Sequence, residues 1–199
     1  MRVIAATKNN GKISEIASIL GNLGIEVVSL ADAGIDVEIV ETGTTFIENA
    51  RIKARAVSLL CDDAVLADDS GLCVEALGGA PGIYSARYAG ENAPESAKIE
   101  KLLNEIRDES NRAAKFVTAV VFRYPDGREI TATGEVHGRI TMMPLGGGGF
   151  GYDPIFYCSE LKKTFGEASE EEKNRVSHRA KALEALYEKL SAEFSKEKE

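Results

Sequence analysis

The sequence is short of cysteine, of histidine and of basic charge, and it has no long apolar run. Its three cysteines, Cys61, Cys73 and Cys158, are odd in number, far apart and without a C-x-x-C pair. That excludes a disulfide framework or a zinc site and points to reduced thiols. No stretch approaches the roughly 18 apolar residues that cross a bilayer. Only the short run Val3 to Ala6 opens the chain, so neither a signal peptide nor a membrane partner is expected, and a cytoplasmic location is. Acids outnumber bases 32 to 24, a formal charge of −8. Such a shortage of Lys and Arg excludes a protein that wraps polynucleotides, whose binding rests on many phosphate-neutralising cations. It leaves room for one nucleotide in a local basic pocket. The surplus is uneven, with eleven acids against four bases in residues 59–111. At about 150 residues per domain, the 199 residues predict one domain, with residues 195–199 frayed.

What is present is a layered α/β pattern. Val3-Ile4-Ala5-Ala6 reads as a buried strand followed by a polar turn, Thr7-Lys8-Asn9-Asn10-Gly11. Ile13, Ile16, Ala17 and Leu20 then recur at helical spacing, and Gly21 and Gly24 stop the helix. Residues 26–30 are a second strand, and strand–helix–strand in that order predicts a parallel pair. Thr45 and Glu48 stand at capping-box spacing before a helix with Ile47, Ala50, Ala54 and Val57 on its core face. Residues 64–67 form a strand running into Asp68-Asp69-Ser70-Gly71. Residues 95–107 predict a helix, and 115–124 with 128–137 a hairpin about Pro125-Asp126-Gly127. A charged helical tail carries Leu183, Leu186, Tyr187 and Leu190 on one face, and no internal repeat is present.

Several stretches have the composition of a site. A buried strand ending in Thr-x-Asn-x-Gly-Lys and entering a helix exposes backbone N–H groups at the positive end of the helix dipole. Lys12 in that first turn opposes the dipole unless an anion is near; the alternative is an ordinary turn with an Asn cap. The spacing is not that of a Walker loop. Glu41 and Asp69 are two carboxylates able to hold a hard cation such as Mg²⁺, which keeps several waters and takes few protein ligands. The alternative for Asp68 or Asp69 is a turn cap, and adjacent strand residues face opposite ways in any case. Lys53 lies one turn beyond Asn49, where most lysines are simply solvated. Phe150-Gly151-Tyr152-Asp153 follows four glycines: either aromatic can stack on a base, with Asp153 reading its edge, or the loop merely returns both rings to the core. On one unbroken helix Lys173 lies about 140° from His178 and about 120° from Arg179. Ser177 is a good N-cap, so a helix start there, with His178 and Arg179 in its first turn, lets the preceding chain swing Lys173 towards them. A lone histidine such as His178 serves structure as readily as chemistry.

Taken in order, these motifs resemble the inosine/xanthosine triphosphate pyrophosphatase family, which clears noncanonical purine nucleotides. The resemblance runs from Ala6-Thr7 through Thr44-Thr45-Phe46-Ile47-Glu48-Asn49-Ala50, Ala67-Asp68-Asp69-Ser70-Gly71-Leu72 and residues 78–88 to Gly149-Phe150-Gly151-Tyr152-Asp153-Pro154 and Ser177-His178-Arg179. The chain departs from the pattern at Lys8, where Gly is common, and at Gly147, where Thr is. The resemblance implies an elongated mixed sheet flanked by helices, two lobes with the site in their cleft, and a homodimer. It implies hydrolysis of ITP, dITP or XTP to the monophosphate and pyrophosphate with Mg²⁺ on Glu41 and Asp69. Asp69 is then the catalytic base, supported by Asp68. Substrate contacts fall to Thr7, Lys8, Asn9, Asn10, Gly11, Lys12, Lys53, Ser70, Phe150, Gly151, Tyr152, Asp153, Lys173, His178 and Arg179. The rival readings are a pyrophosphatase for modified or pyrimidine nucleotides and a nucleotide sensor without turnover.

Overall fold

The structure, a computed structural model, describes residues 1–196. Strands β1 (Arg2–Ala5), β2 (Glu26–Ser29), β3 (Ala64–Val74), β4 (Ala113–Arg123), β5 (Glu129–Ile140), β6 (Phe156–Cys158) and β7 (Lys163–Thr164) form one mixed sheet. Their order is β2-β1-β3-β4-β5-β6-β7. β1 runs parallel to β2 and β3, with Val3 opposite both Val27 and Ala64, as strand–helix–strand order requires. β5, β6 and β7 pair antiparallel. The helices are α1 (Asn10–Leu20), α2 (Phe46–Ser58), α3 (Glu95–Glu105), α4 (Glu170–Val176) and α5 (His178–Lys196).

The chain divides into two compact units. The first comprises Met1–Asp69, Thr118–Gly134 and the chain from Arg179 onward; the second comprises Ser70–Val117 and Glu135–His178. In the first unit, strand alternation makes two cores. Val3, Ala5, Ala64 and Leu66 point to one face, where Ile16 and Leu20 of α1 and Leu183, Leu186 and Leu190 of α5 cover them. Ile4, Ala6, Val65 and Ala67 point to the other, against Ala50, Ala54 and Val57 of α2. The leucine stripe foreseen on the tail thus faces the first core. The second unit has its own core, in which Leu72 and Val74 of β3 meet Leu102, Ile106, Phe116, Phe156 and Phe165.

Two features differ from the sequence expectation. β3 does not stop at Asp68 but runs on to Val74, so Asp68, Asp69, Ser70 and Gly71 lie within a strand rather than a turn. The turn-forming character of Asp-Ser-Gly is overridden because both aspartates find cations and Leu72 and Val74 are fully buried. The short β6 and β7 and helix α4 carry no clear period and were not foreseen. Helix α5 includes Ser195 and Lys196, and residues 197–199 of the expected frayed end lie outside the described residues. The predicted break at Ser177 is present: its backbone is extended (φ −65°, ψ 152°) between α4 and α5.

Leu186 is fully buried on the α5 stripe, so Leu186→Ala is expected to cost about 2–5 kcal/mol through lost contacts and an unfilled cavity. Urea unfolding of the two proteins checks this; an unchanged midpoint contradicts the packing.

Candidate active site

The first polar cluster grows from the end of β1. Thr7 Oγ1 accepts from the Asn9 N–H at 3.2 Å, and Asn9 Oδ1 caps α1 by accepting from the Lys12 N–H at 3.2 Å. Asn10 opens the helix and Gly11 follows in its first turn. This turn sends the Lys12 ammonium onto Asp68 Oδ2 at 2.7 Å, which supplies the anion that a lysine at a helix N-terminus needs. Arg179, in the first turn of α5, donates to the same Asp68 oxygen at 3.4 Å and to Glu15 at 3.1 Å. Burial alone raises the pKa of Asp68, but the charges of Lys12 and Arg179, the Lys12 hydrogen bond and the charge of Lys53 outweigh it and hold the carboxyl far below its ordinary range.

Asp69, one residue on, faces the opposite side of the sheet, towards α2. Its Oδ1 accepts from Lys53 Nζ at 3.3 Å and its Oδ2 from Asn49 Nδ2 at 3.2 Å. Lys53 also donates to Glu41 Oε1 at 2.9 Å, so one ammonium stands between two carboxylates. Burial raises the pKa of Asp69; Lys53 pulls against this and Glu41 adds to it, leaving the group above its ordinary value. Lys53 goes the other way: burial disfavours its charge, but Asp69, Glu41 and Asp68 together hold it protonated.

The Glu41-Thr42-Gly43 segment is tied to α2. Thr45 caps the helix by accepting from the Glu48 N–H, as its spacing predicted. The Glu48 carboxylate bonds the Thr44 N–H and hydroxyl, one residue before the cap. Lys12, Lys53, Glu41, Asp68, Thr7 and Lys8 line a cleft of about 330 Å³ with an apolar wall of Leu30, Val37 and Ile39. Lys8 stands at its rim, bound to Asp36 at 3.3 Å with both side chains largely exposed. Among the described residues no three or more His, Cys, Asp and Glu side chains form a ready-made metal cage. Glu41 and Asp69 nevertheless converge on one cation, the Lys53 ammonium, and an all-oxygen pair of this kind suits a hard divalent ion that keeps waters and substrate oxygens in its shell.

The second unit gathers the other predicted residues. Asp153 Oδ2 accepts from the Phe150 N–H at 2.8 Å and from Lys173 Nζ at 2.5 Å. Gly149 has φ +75°, and a Cβ there would lie 2.2 Å from Asp153 Oδ2, so only glycine closes this loop. Phe150 is half exposed with the Lys173 ammonium 4.1 Å from its ring centre. Tyr152 is buried in the core with its hydroxyl donating to the Ser85 carbonyl, so it offers no ring face to a ligand. Gly151 lies in the same loop, and Ser70 is half-buried on β3. His178 is buried and stacked on Phe116, with ring centres 4.8 Å apart.

Lys173 and Arg179 therefore do not share a partner: one holds Asp153, the other Asp68 and Glu15. Sequence reasoning missed Asn49 and Glu15 as members of these clusters. The available signals were spacing: Asn49 and Lys53 are an i, i+4 pair on α2, and Lys12 and Glu15 an i, i+3 pair on α1.

With this geometry in view, comparison with known proteins is decisive. A model of the Ham1 family matches residues 3–189. A protein named dITP/XTP pyrophosphatase from Halalkalibacterium halodurans is 49% identical over 185 residues, covering 92% of this chain and 95% of its own. The solved Ham1 protein of Staphylococcus aureus superposes with a TM-score of 0.90 at 42% identity, over 97% of this chain and 100% of its own. A nucleoside-triphosphatase, dITP/XTP pyrophosphatase, from Mycobacterium abscessus gives a TM-score of 0.78 at 41% identity, over 94% and 98%. A single mixed α/β architecture, the paired aspartates on β3 and this breadth of similarity have one common explanation: the chain belongs to the Ham1 family.

Proposed function

We propose that this chain hydrolyses noncanonical purine nucleoside triphosphates, dITP, XTP and ITP, to the monophosphate and pyrophosphate. The observation that carries the reading is Asp69, half of an acid pair bridged by Lys53 beside a cleft that also presents Lys12 and a helix N-terminus. The dITP/XTP pyrophosphatase names of relatives that match nearly the whole chain support the substrate class.

The reaction is attack of water on the α-phosphorus, with pyrophosphate leaving. Asp69 takes the proton of the attacking water. Its raised pKa makes it a better proton acceptor than an ordinary surface carboxylate. Lys53 keeps Asp69 ionised and oriented, and Lys12 with the N-terminal end of α1 receives phosphate oxygens. Lys8 adds charge at the rim. Asp68 is the anchor of Lys12 rather than a base, since its carboxyl holds no proton in the working range. Glu41 and Asp69 would hold a divalent cation, Mg²⁺, which would supply charge neutralisation on the phosphates.

The second unit, by itself, carries features suited to a purine base. The Phe150 ring gives a face for a purine, and the Lys173 ammonium beside it is a donor suited to the 6-oxo group of hypoxanthine or xanthine. Adenine sets a 6-amino donor against donors, and each buried group left unpaired costs about 1–3 kcal/mol. Arg179, committed to two carboxylates, acts on the phosphate side through Asp68. Among the described residues no helix is long and apolar enough to cross a membrane. The enzyme is read as a cytoplasmic homodimer acting on the free nucleotide pool.

Asp69→Asn is expected to lower kcat for ITP by about 10²-fold or more with an unchanged far-ultraviolet circular dichroism spectrum. Wild-type turnover in that variant, or orthophosphate as the first product, would falsify the mechanism. A second expectation concerns pH and stability. Because the folded pKa of Asp68 lies below its unfolded value, its contribution is present at neutral pH and lost as pH falls through and below about 4. Asp68→Asn is thus less stable than the wild type at pH 7, and the gap closes on acidification. Urea midpoints measured from pH 7 to 3 test this; a constant gap contradicts it.

A further inference from the structure

We infer that Asn49 is a positioning residue that sets the two carboxylates of the reaction, Glu41 and Asp69, relative to each other. The inference rests on the role proposed above for Asp69. Asn49 lies in the first turns of α2 and is completely buried. Its Oδ1 accepts from the Gly43 N–H at 2.9 Å, and its Nδ2 donates to Asp69 Oδ2 at 3.2 Å.

A main-chain N–H only donates, so the Asn49 oxygen must face Gly43 and its NH₂ must face Asp69. One amide therefore has no freedom to flip, and it reads two features at once. It requires an acceptor at Asp69 Oδ2, and it fixes the main chain two residues beyond Glu41. Asp69 Oδ1 is taken by Lys53, which also binds Glu41, so both oxygens of Asp69 have assigned donors. The Asn49 and Lys53 contacts close a ring of side chains through Gly43, Glu41 and Asp69.

The main chain at Gly43 has no slack to do this otherwise. A Cβ there would lie 2.7 Å from Asn49 Oδ1 and 2.9 Å from Asn49 N, inside contact distance. The next residue is held by the Thr44 N–H and hydroxyl on Glu48 at 2.7 and 2.8 Å. Leucine at 49 keeps the branched outline of asparagine, though it is larger, and has neither polar group, leaving the Gly43 N–H without its partner and Asp69 Oδ2 without its donor. A residue that only strapped the loop to α2 would affect folding; one that positions Asp69 also affects metal binding and the chemical step.

The test uses the full chain as wild type, Asn49→Leu and Gly43→Ala, the last lifting the segment that follows Glu41 off Asn49 and Glu48 while keeping the amide. Mn²⁺ binding is followed by electron paramagnetic resonance, kcat and KM are measured with ITP, and folding is followed by thermal melting. Both variants are expected to lose about 10–100-fold in Mn²⁺ affinity and in kcat, with KM within about threefold of wild type. A folded Asn49→Leu variant with wild-type kcat and Mn²⁺ affinity overturns the proposal, as does a rise in KM alone. If Asn49→Leu does not fold, Gly43→Ala decides by the same criteria. A wild type that releases no pyrophosphate from ITP counts against the proposed reaction, while the Mn²⁺ titrations still decide the role of Asn49.

Discussion

Two ionised aspartates side by side in a buried strand are the constraint on which the first unit is built. Taking one carboxylate out of water costs several kcal/mol unless a cation and hydrogen bonds replace the solvent. Because neighbouring strand residues face opposite sides of a sheet, one ammonium does not hydrogen-bond both. Asp68 must be met from the face covered by α1 and α5, and Asp69 from the face covered by α2. Lys12 and Arg179 do the first; Lys53 and Asn49 do the second. The leucine and alanine stripes that seat these helices are thus what bring the cations to the aspartates.

The second unit solves a smaller version of the same problem with a loop. Asp153 is buried, and its Oδ2 is met by the Lys173 ammonium and by the backbone N–H of Phe150. Closing the chain this tightly demands a positive φ and no Cβ at Gly149. Tyr152 then turns inward to Ser85 and Phe150 outward. The aromatic pair that looks equivalent in sequence is split by where Asp153 pulls the backbone.

Most of the architecture was legible because it rests on local periodicity. The helix face of Leu183, Leu186 and Leu190, the parallel pair about α1, the hairpin about Gly127 and the break at Ser177 all follow from spacing and capping chemistry within a few residues. What was not legible depends on distant partners. The continuation of β3 through Asp68 and Asp69 reads as a turn until Lys12 and Arg179, 56 and 111 residues away, are placed beside it. Glu15 and Arg179 are 164 residues apart, and neither advertises the other. Asn49 was visible as a letter in a motif, but its two-sided hydrogen bonding exists only once Gly43 and Asp69 are in position. The short β6 and β7, three and two residues long, leave no period to read.

These pairings also revise the electrostatic picture of the site. The sequence suggested a basic pocket set against an acidic surface. In the first unit Lys12, Lys53 and Arg179 are instead matched by Asp68, Asp69, Glu41 and Glu15, so the cluster carries one more acid than base. Lys8, the remaining cation of the cleft, is exposed, bound to Asp36 and worth little as a fixed charge. A triphosphate entering such a cleft meets cations already engaged by carboxylates, and each phosphate contact with Lys12 or Lys53 competes with an existing ion pair. The chain by itself therefore cannot neutralise the nucleotide. On the reaction proposed above, further positive charge would arrive with the substrate, and Glu41 and Asp69, which already share the Lys53 ammonium, would hold it.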